Sequence, residues 1–276
     1  MTFVFERPRT GKDLAALLAE HAQGAFVLAG GTDLVVQLRA GAIHPTVVAD
    51  VKTVEELQSL EHGTDGSVTI GAAVPMNRVI DDARLRPIFA GLCDAVNSVA
   101  TYAIRNRATV VGNIANASPC ADTVPPLCVL GASVELRSAR ATRKVLLQDF
   151  ITGVRNTARK PDEYVAAVHI PAQSKGTRTL FAKRQRLRGH DLALTNAALL
   201  HDPERKHLRL AVGSCSPAPI VLDLDELQGS LDGEEAARRA MAAIAPITDV
   251  RASAEYRTDM TGVLVRRLFQ ALRAQG

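Results

Sequence analysis

Leu14, Leu17 and Leu18 fall on one face of residues 12–21, the spacing of a short amphipathic helix. Residues 25–29, AFVLA, form an apolar run of strand character that stops abruptly at Gly30-Gly31-Thr32-Asp33. Residues 34–40 continue as helix or turn, and residues 46–50 are predicted as a second short strand. Strand, glycine turn, helix and strand in that order make a small βαβ unit. Residues 67–71 alternate as a strand, and residues 74–89 carry a helical pattern until Pro87 perturbs it.

Further on, residues 133–137 and 143–147 alternate like two arms of one sheet, and residues 162–170 form another strand closed by Pro171. Around residues 173–177 the composition turns polar and turn-forming, which marks a domain boundary. Beyond it, residues 194–200 and 208–212 are predicted as strands, and residues 233–244 and 258–274 as helices. There is no internal repeat. The pattern is α+β in two lobes.

Composition narrows the classes. A 276-residue chain with 47% hydrophobic and 22% charged residues is an ordinary globular protein. The net charge of +4 comes mostly from scattered arginines, with one basic concentration at residues 183–188, KRQRLR. With 4% aromatics and no Trp, it lacks the basic stripe and stacking aromatics of a nucleic-acid reader. Cys93, Cys120, Cys128 and Cys215 match no C-x2-C spacing and have no His beside them, so they are expected to be buried free thiols. The first residues, MTFVFERPRT, show no signal-peptide pattern, and no apolar run approaches the ~20 residues of a membrane span. A cytoplasmic location is expected.

Two stretches carry the candidate chemistry: residues 30–33, GGTD, and residues 109–123, TVVGNIANASPCADT. Each sets glycine after an apolar, strand-like run and follows it with short hydrogen-bonding side chains. Glycine lets a ligand approach backbone N–H groups closely, and successive N–H groups bind anions. Two such loops together suit a dinucleotide laid between them, although GGTD alone is more often an ordinary turn. No G-x-G-x-x-G, P-loop lysine, G-x-S-x-G or H-E-x-x-H pattern is present. Asp81-Asp82 is expected to be a solvated helix cap, and the seven histidines are dispersed. Any chemistry is therefore expected to belong to a bound cofactor.

At these residues the sequence resembles a known family. AGGTDL at 29–34 and IRNRATVVGNIANASP at 104–119 are similar to the FAD-binding (medium) subunits of the molybdenum hydroxylases, the xanthine dehydrogenase and CO dehydrogenase group. The resemblance continues through Ala121-Asp122, TGVRNT at 152–157, KPDE at 160–163, FAKR at 181–184, DVRASAEYR at 249–257 and VLVRR at 263–267. It implies an FAD-binding PCMH-type fold, like that of vanillyl-alcohol oxidase, over residues 1–173. A small α/β unit would span about 1–55 and a larger α+β lobe about 56–173, with a CO dehydrogenase flavoprotein-type α+β lobe at 178–276.

The resemblance also implies a site. Ala29, Gly30, Gly31, Thr32, Asp33 and Leu34 would line the first wall of the pyrophosphate site. Thr109, Val111, Gly112 and Asn113 would form the second, with Asn116, Ser118 and Ala121 nearby. Asp122 would hydrogen-bond the cofactor, the Val165 backbone would meet the adenine, and Lys183 would stand beside the flavin ring and favour its anionic reduced form. Val111 and Ala108 stand where relatives carry glycine, and Ala121 where some carry serine.

The implied function is an oxidoreductase subunit that carries FAD and transfers electrons. They would arrive from [2Fe–2S] clusters of a small partner, originate at a molybdopterin-binding large subunit, and leave to NAD+ or another acceptor, within a dimer of heterotrimers. No metal is expected in this chain: Cys120 and Cys128 lack the cysteine-rich insertion of relatives with an added four-iron cluster. Two alternatives stand beside it. One is a stand-alone flavin oxidoreductase, disfavoured by the missing substrate-cap domain and the lack of a His or Cys placed for covalent flavin. The other is a scaffold of the same fold that has lost FAD.

Overall fold

The computed structural model describes residues 2–187 and 189–275. Its N-terminal unit is a three-stranded parallel sheet, Val4–Glu6, Val47–Asp50 and Ala25–Leu28 in that spatial order. The helix Gly11–His21 opens on Thr10, whose hydroxyl accepts from the Asp13 N–H at 3.1 Å. It buries Leu14 and Leu18 completely against this sheet's core. The helix Leu34–Arg39 makes the crossover between the two longer strands.

The second sheet is antiparallel, with the order Leu60–His62, Val68–Gly71, Tyr164–Ile170, Ser133–Arg137, Thr142–Leu146. Tyr164–Ile170 lies at its centre and is buried almost throughout, which explains its near-continuous apolar run. The helices Met76–Asp81, Ala90–Ser98, Tyr102–Arg105, Val110–Ala115 and Val124–Val129 all lie between the second and fourth of these strands in sequence.

A third sheet, also antiparallel, runs Arg178–Arg184, Thr195–Asp202, His207–Gly213, Ile220–Asp223. Strand alternation divides its two faces. Ala197, Leu199, Leu210 and Val212 join a core with the helices Gly233–Ala243 and Ala254–Ala274. Ala198, Leu200 and Ala211 point the other way and join the core of the first two sheets. Gly91 marks how closely the parts meet: a Cβ there would lie 3.0 Å from Leu180 backbone atoms, and its N–H donates to Thr179 Oγ1 at 3.1 Å. No helix among the described residues is long and apolar enough to cross a membrane.

Several local expectations are corrected. The helix expected over 74–89 covers only Met76–Asp81. Asp82 turns the chain out with ψ 104, and its carboxylate accepts from the Arg84 N–H at 3.0 Å, Arg84 Nη2 at 2.9 Å and His62 Nε2 at 2.8 Å. It is an anchor for this turn rather than a solvated cap. The strand expected at 143–147 is Thr142–Leu146; Leu147 is buried and begins a one-turn helix, its N–H donating to the Ala132 carbonyl at 2.9 Å. The basic run at 183–188 is no single surface. Lys183 turns inward, Arg184 donates to the Tyr256 hydroxyl at 2.7 Å, Arg186 meets Asp191 at 3.4 Å, and Arg188 lies outside the described residues.

Candidate functional site

A cleft of about 930 Å³ runs between the first and second lobes and ends against the third sheet. Every residue that the resemblance assigned to the cofactor lines it, from Ala29 to Leu34, through Thr109, Val111, Gly112, Asn113, Asn116, Ser118, Ala121 and Asp122, to Val165 and Lys183. Residues as far apart in sequence as Ala29 and Lys183 thus share one wall system.

The first wall is fixed by two glycines. Gly31 has φ +78, a conformation that L side chains rarely adopt. Gly30 is a close approach: an added Cβ would overlap the Arg107 carbonyl group and lie 2.9 Å from Ala108 Cα. The following helix is held by Val35 N–H to Gly31 O and Gln37 N–H to Asp33 O, both at 3.0 Å. Asp33, at the N-cap position, makes no capping bond, and of the first-turn amides Val35 is taken by Gly31 while Leu34, on the cleft wall, has no protein acceptor among the described residues.

The second wall differs from expectation. Val110 and Val111 are not the end of a strand but the first turn of the helix Val110–Ala115. Thr109 caps it, its Oγ1 accepting from the Gly112 N–H at 2.8 Å. The Gly112 amide is therefore satisfied within the protein. Val111 sits in helical backbone open to any residue, and its side chain is 3% exposed within the core. Thr109→Ala should cost about 1 kcal/mol of stability, the usual loss on removing such a cap; an unchanged denaturation midpoint would argue that the cap contributes nothing.

The side-chain oxygens of Asn113, Asn116 and Ser118 each accept one bond from within the protein. Asn113 Oδ1 accepts from Thr123 Oγ1 at 2.7 Å, Asn116 Oδ1 accepts from Arg155 Nη1, and Ser118 Oγ accepts from the Cys120 N–H at 3.3 Å. Left-handed backbone also gathers here. Ala22 (φ 43), Ala100 (φ 44) and Arg155 (φ 60) line the cleft, and Ala117 (φ 45) lies between two lining residues. Such conformations cost about 1–2 kcal/mol each in non-glycine residues and gather where a site over-determines them.

At the third sheet the wall is an ion pair. Lys183 Nζ lies 2.6 Å from Asp122 Oδ2, with the side chains 8% and 6% exposed. Asn196 Nδ2 donates to Asp122 Oδ1 at 2.8 Å. Burial pushes the Asp122 carboxyl up from its ordinary value, while the Lys183 ammonium and the Asn196 amide oppose that rise. Lys183 therefore presents the cleft with one end of a pair, not an isolated positive charge.

The cleft has the size of a small-molecule site, a first wall drawn tight at Gly30 and Gly31, and a second wall of short polar side chains on and after a Thr109-capped turn. These features fit a dinucleotide. Residues 1–173 match the FAD binding domain in molybdopterin dehydrogenase. The chain belongs to this family. As an FAD-binding subunit of the molybdenum hydroxylase family it also carries, at residues 180–272, a match to the CO dehydrogenase flavoprotein C-terminal domain. The xanthine dehydrogenase FAD-binding subunit of Escherichia coli O157:H7 is 30% identical over 283 residues, covering 99% of this chain and 97% of that protein. The carbon monoxide dehydrogenase medium chain of Afipia carboxidovorans is 29% identical, covering 99% and 98%. Among solved structures, reconstituted CO dehydrogenase from Oligotropha carboxidovorans superposes with a TM-score of 0.92 at 27% identity, covering 100% of this chain and 99% of that one. The FAD-binding subunit is thus an oxidoreductase component with the expected α+β flavoprotein fold.

Sequence reasoning gave no role to several lining residues of this FAD-binding subunit: Cys120, Arg155, Arg159, Tyr164 and Leu192. Arg155 belongs to the TGVRNT stretch already singled out, but nothing local says that its hairpin folds over the cleft. Cys120 corrects the expectation of four buried thiols. It is half-buried in the cleft wall, with Arg251 Nη1 3.7 Å from its Sγ. Cys93 and Cys128 are buried, and burial pushes their thiols up to about 11 and about 12.

Proposed function

We propose that this chain is the FAD-carrying electron-transfer subunit of a cytoplasmic heterotrimeric molybdenum hydroxylase of the xanthine dehydrogenase type. Its partners are a molybdopterin-binding large subunit and a small subunit with [2Fe–2S] clusters, assembled as a dimer of heterotrimers, and NAD+ or another acceptor takes the electrons. The observation that carries this reading is the single cleft uniting both glycine loops with the Asp122–Lys183 pair. Bound FAD supplies the exchange between one-electron and two-electron carriers.

The chain's own residues bind and orient. Gly30, Gly31 and the open amides around Thr32 and Leu34 form one side of the diphosphate site, where backbone N–H groups favour anions. The Thr109-capped turn and Asn113 form the other. Asp33, an acceptor with no capping bond, suits the cofactor's sugar hydroxyls, and the Val165 backbone suits the adenine edge. Lys183 and Asp122 hold a proton between them at Nζ and Oδ2 and give the ring end a fixed dipole.

The test is an absorption spectrum of the purified full chain, alone and after adding FAD. Bands near ~370 and ~450 nm from a bound flavin are expected, and bleaching of the longer-wavelength band by anaerobic NADH would support NAD+ as acceptor. A chain that stays colourless both in its assembled complex and with added FAD would leave the scaffold reading in its place.

A further inference from the structure

A diphosphate carries two negative charges, and the walls described so far bring it none of the opposite sign. Of the charged groups lining the cleft, Asp122 and Lys183 neutralise each other at 2.6 Å. Asp191 is engaged by Arg186, through its N–H at 3.2 Å and its Nε at 3.4 Å. Arg159 is tied by Nη1 to the carbonyls of Lys160 at 3.1 Å and Glu163 at 2.8 Å, in the segment that leads to Val165. Asp33 adds a negative charge. Among the described residues neither Arg155 nor Arg159 has a carboxylate within 4.0 Å, and of these two cations Arg155 is the one whose guanidinium is not committed to backbone carbonyls.

Arg155 is also held in an unusual way. It sits at the tip between the paired strands Ile151–Gly153 and Asn156–Thr157. Its N–H donates to the Ala117 carbonyl at 2.9 Å, joining two left-handed residues, φ 60 at Arg155 and φ 45 at Ala117. Its Nη1 donates to Asn116 Oδ1, on the second wall. Glycine would take this backbone without strain, yet the position carries the largest basic side chain. The remaining donors of the guanidinium fork, Nε and Nη2, make no protein hydrogen bond among the described residues. A planar fork with free donors, anchored at one nitrogen, is built to meet anionic oxygens.

We propose that Arg155 is the cation that binds the diphosphate of the dinucleotide in this cleft, steered onto it by Asn116 and by its own strained backbone. This rests on the FAD reading of the cleft. The bland rival is an arginine that only braces Asn116 from the solvent side, and ligand choice separates the two. The full chain, stripped of flavin, is titrated with FAD and with riboflavin, which has the ring but no phosphate, for wild type, Arg155→Gly and Arg155→Lys.

Arg155→Gly should bind FAD about tenfold more weakly, the order expected for one charge-assisted contact, with riboflavin affinity unchanged. Its flavin-free form should melt no lower than wild type, because glycine relieves the left-handed backbone. Arg155→Lys keeps the charge without the fork and should fall between. Added salt should weaken FAD binding to wild type more steeply than to Arg155→Gly. Wild-type FAD affinity in Arg155→Gly would overturn the proposal, as would equal weakening toward FAD and riboflavin. A wild-type chain that takes neither ligand would remove the FAD reading itself along with it.

Discussion

Gly30→Ala should strip the protein of most of its flavin, binding FAD at least tenfold more weakly than wild type. The reason is steric and local. The new Cβ would overlap the Arg107 carbonyl group and reach 2.9 Å from Ala108 Cα, and both are backbone. No flexible side chain can swing aside, so either the first loop or the segment before Thr109 must move. Both are walls of the cleft. Overpacking of this kind costs about 1–3 kcal/mol, a fall of several degrees in melting temperature for a chain of this size. Gly112→Ala is the control. Its Cβ meets only the Thr109 hydroxyl, at 2.9 Å, and should cost about one helix cap. The flavin-to-protein ratio and melting curve of each variant decide the matter. Full flavin in Gly30→Ala beside a colourless Gly112→Ala would show that the second loop, not the first, sets the tight approach.

That contrast shows where sequence reading ran out. Residues 29–34 and 109–122 were legible because glycine next to short polar side chains is a local signal. What was not legible is which glycine is pressed against backbone, since Gly30 and Arg107 meet only through the fold. Val110 and Val111 read as a strand because β-branched pairs usually are one. The Thr109 hydroxyl on the Gly112 N–H closed a helical turn instead, and propensity gave way to the cap.

The same physics explains the missed elements. Val4–Glu6 is exposed at every position, so it shows no alternation to detect. Arg178–Arg184 and Ile220–Asp223 are the two edges of the third sheet, where half-exposed positions blur the pattern that made Thr195–Asp202 and His207–Gly213 easy to see. Helical periodicity after Val74 could not reveal that Asp82 would collect Arg84 and His62 and turn the chain. Lys183 was read as a charge beside the ring; its partner, sixty-one residues earlier at Asp122, became visible only when the third sheet was set against the second wall.

That pairing sets the outcome at Lys183. Lys183→Met should destabilise the protein by about 3–5 kcal/mol, the usual consequence of removing one partner of a buried ion pair. Asp122 stays where it is, 5% exposed, with the Asn196 amide and the Ser98 hydroxyl left to hold its carboxylate. Its carboxyl is already pushed up by burial, and Lys183 is the largest influence holding it down. In the variant it must rise further. A group whose folded-state value lies above its unfolded one takes up a proton on folding, so stability falls as pH rises from the ordinary carboxylate range through the folded value. The deficit of Lys183→Met should therefore shrink as pH is lowered toward that range and grow to its full size above the folded value. Lys183→Met with Asp122→Asn removes the stranded charge, and should recover much of the stability and lose the pH dependence. Denaturation midpoints of both variants across pH test this. A deficit that is constant with pH, or a double variant no more stable than the single, would mean that Lys183 contributes by packing alone and that Asp122 carries no charge at this wall of the cleft.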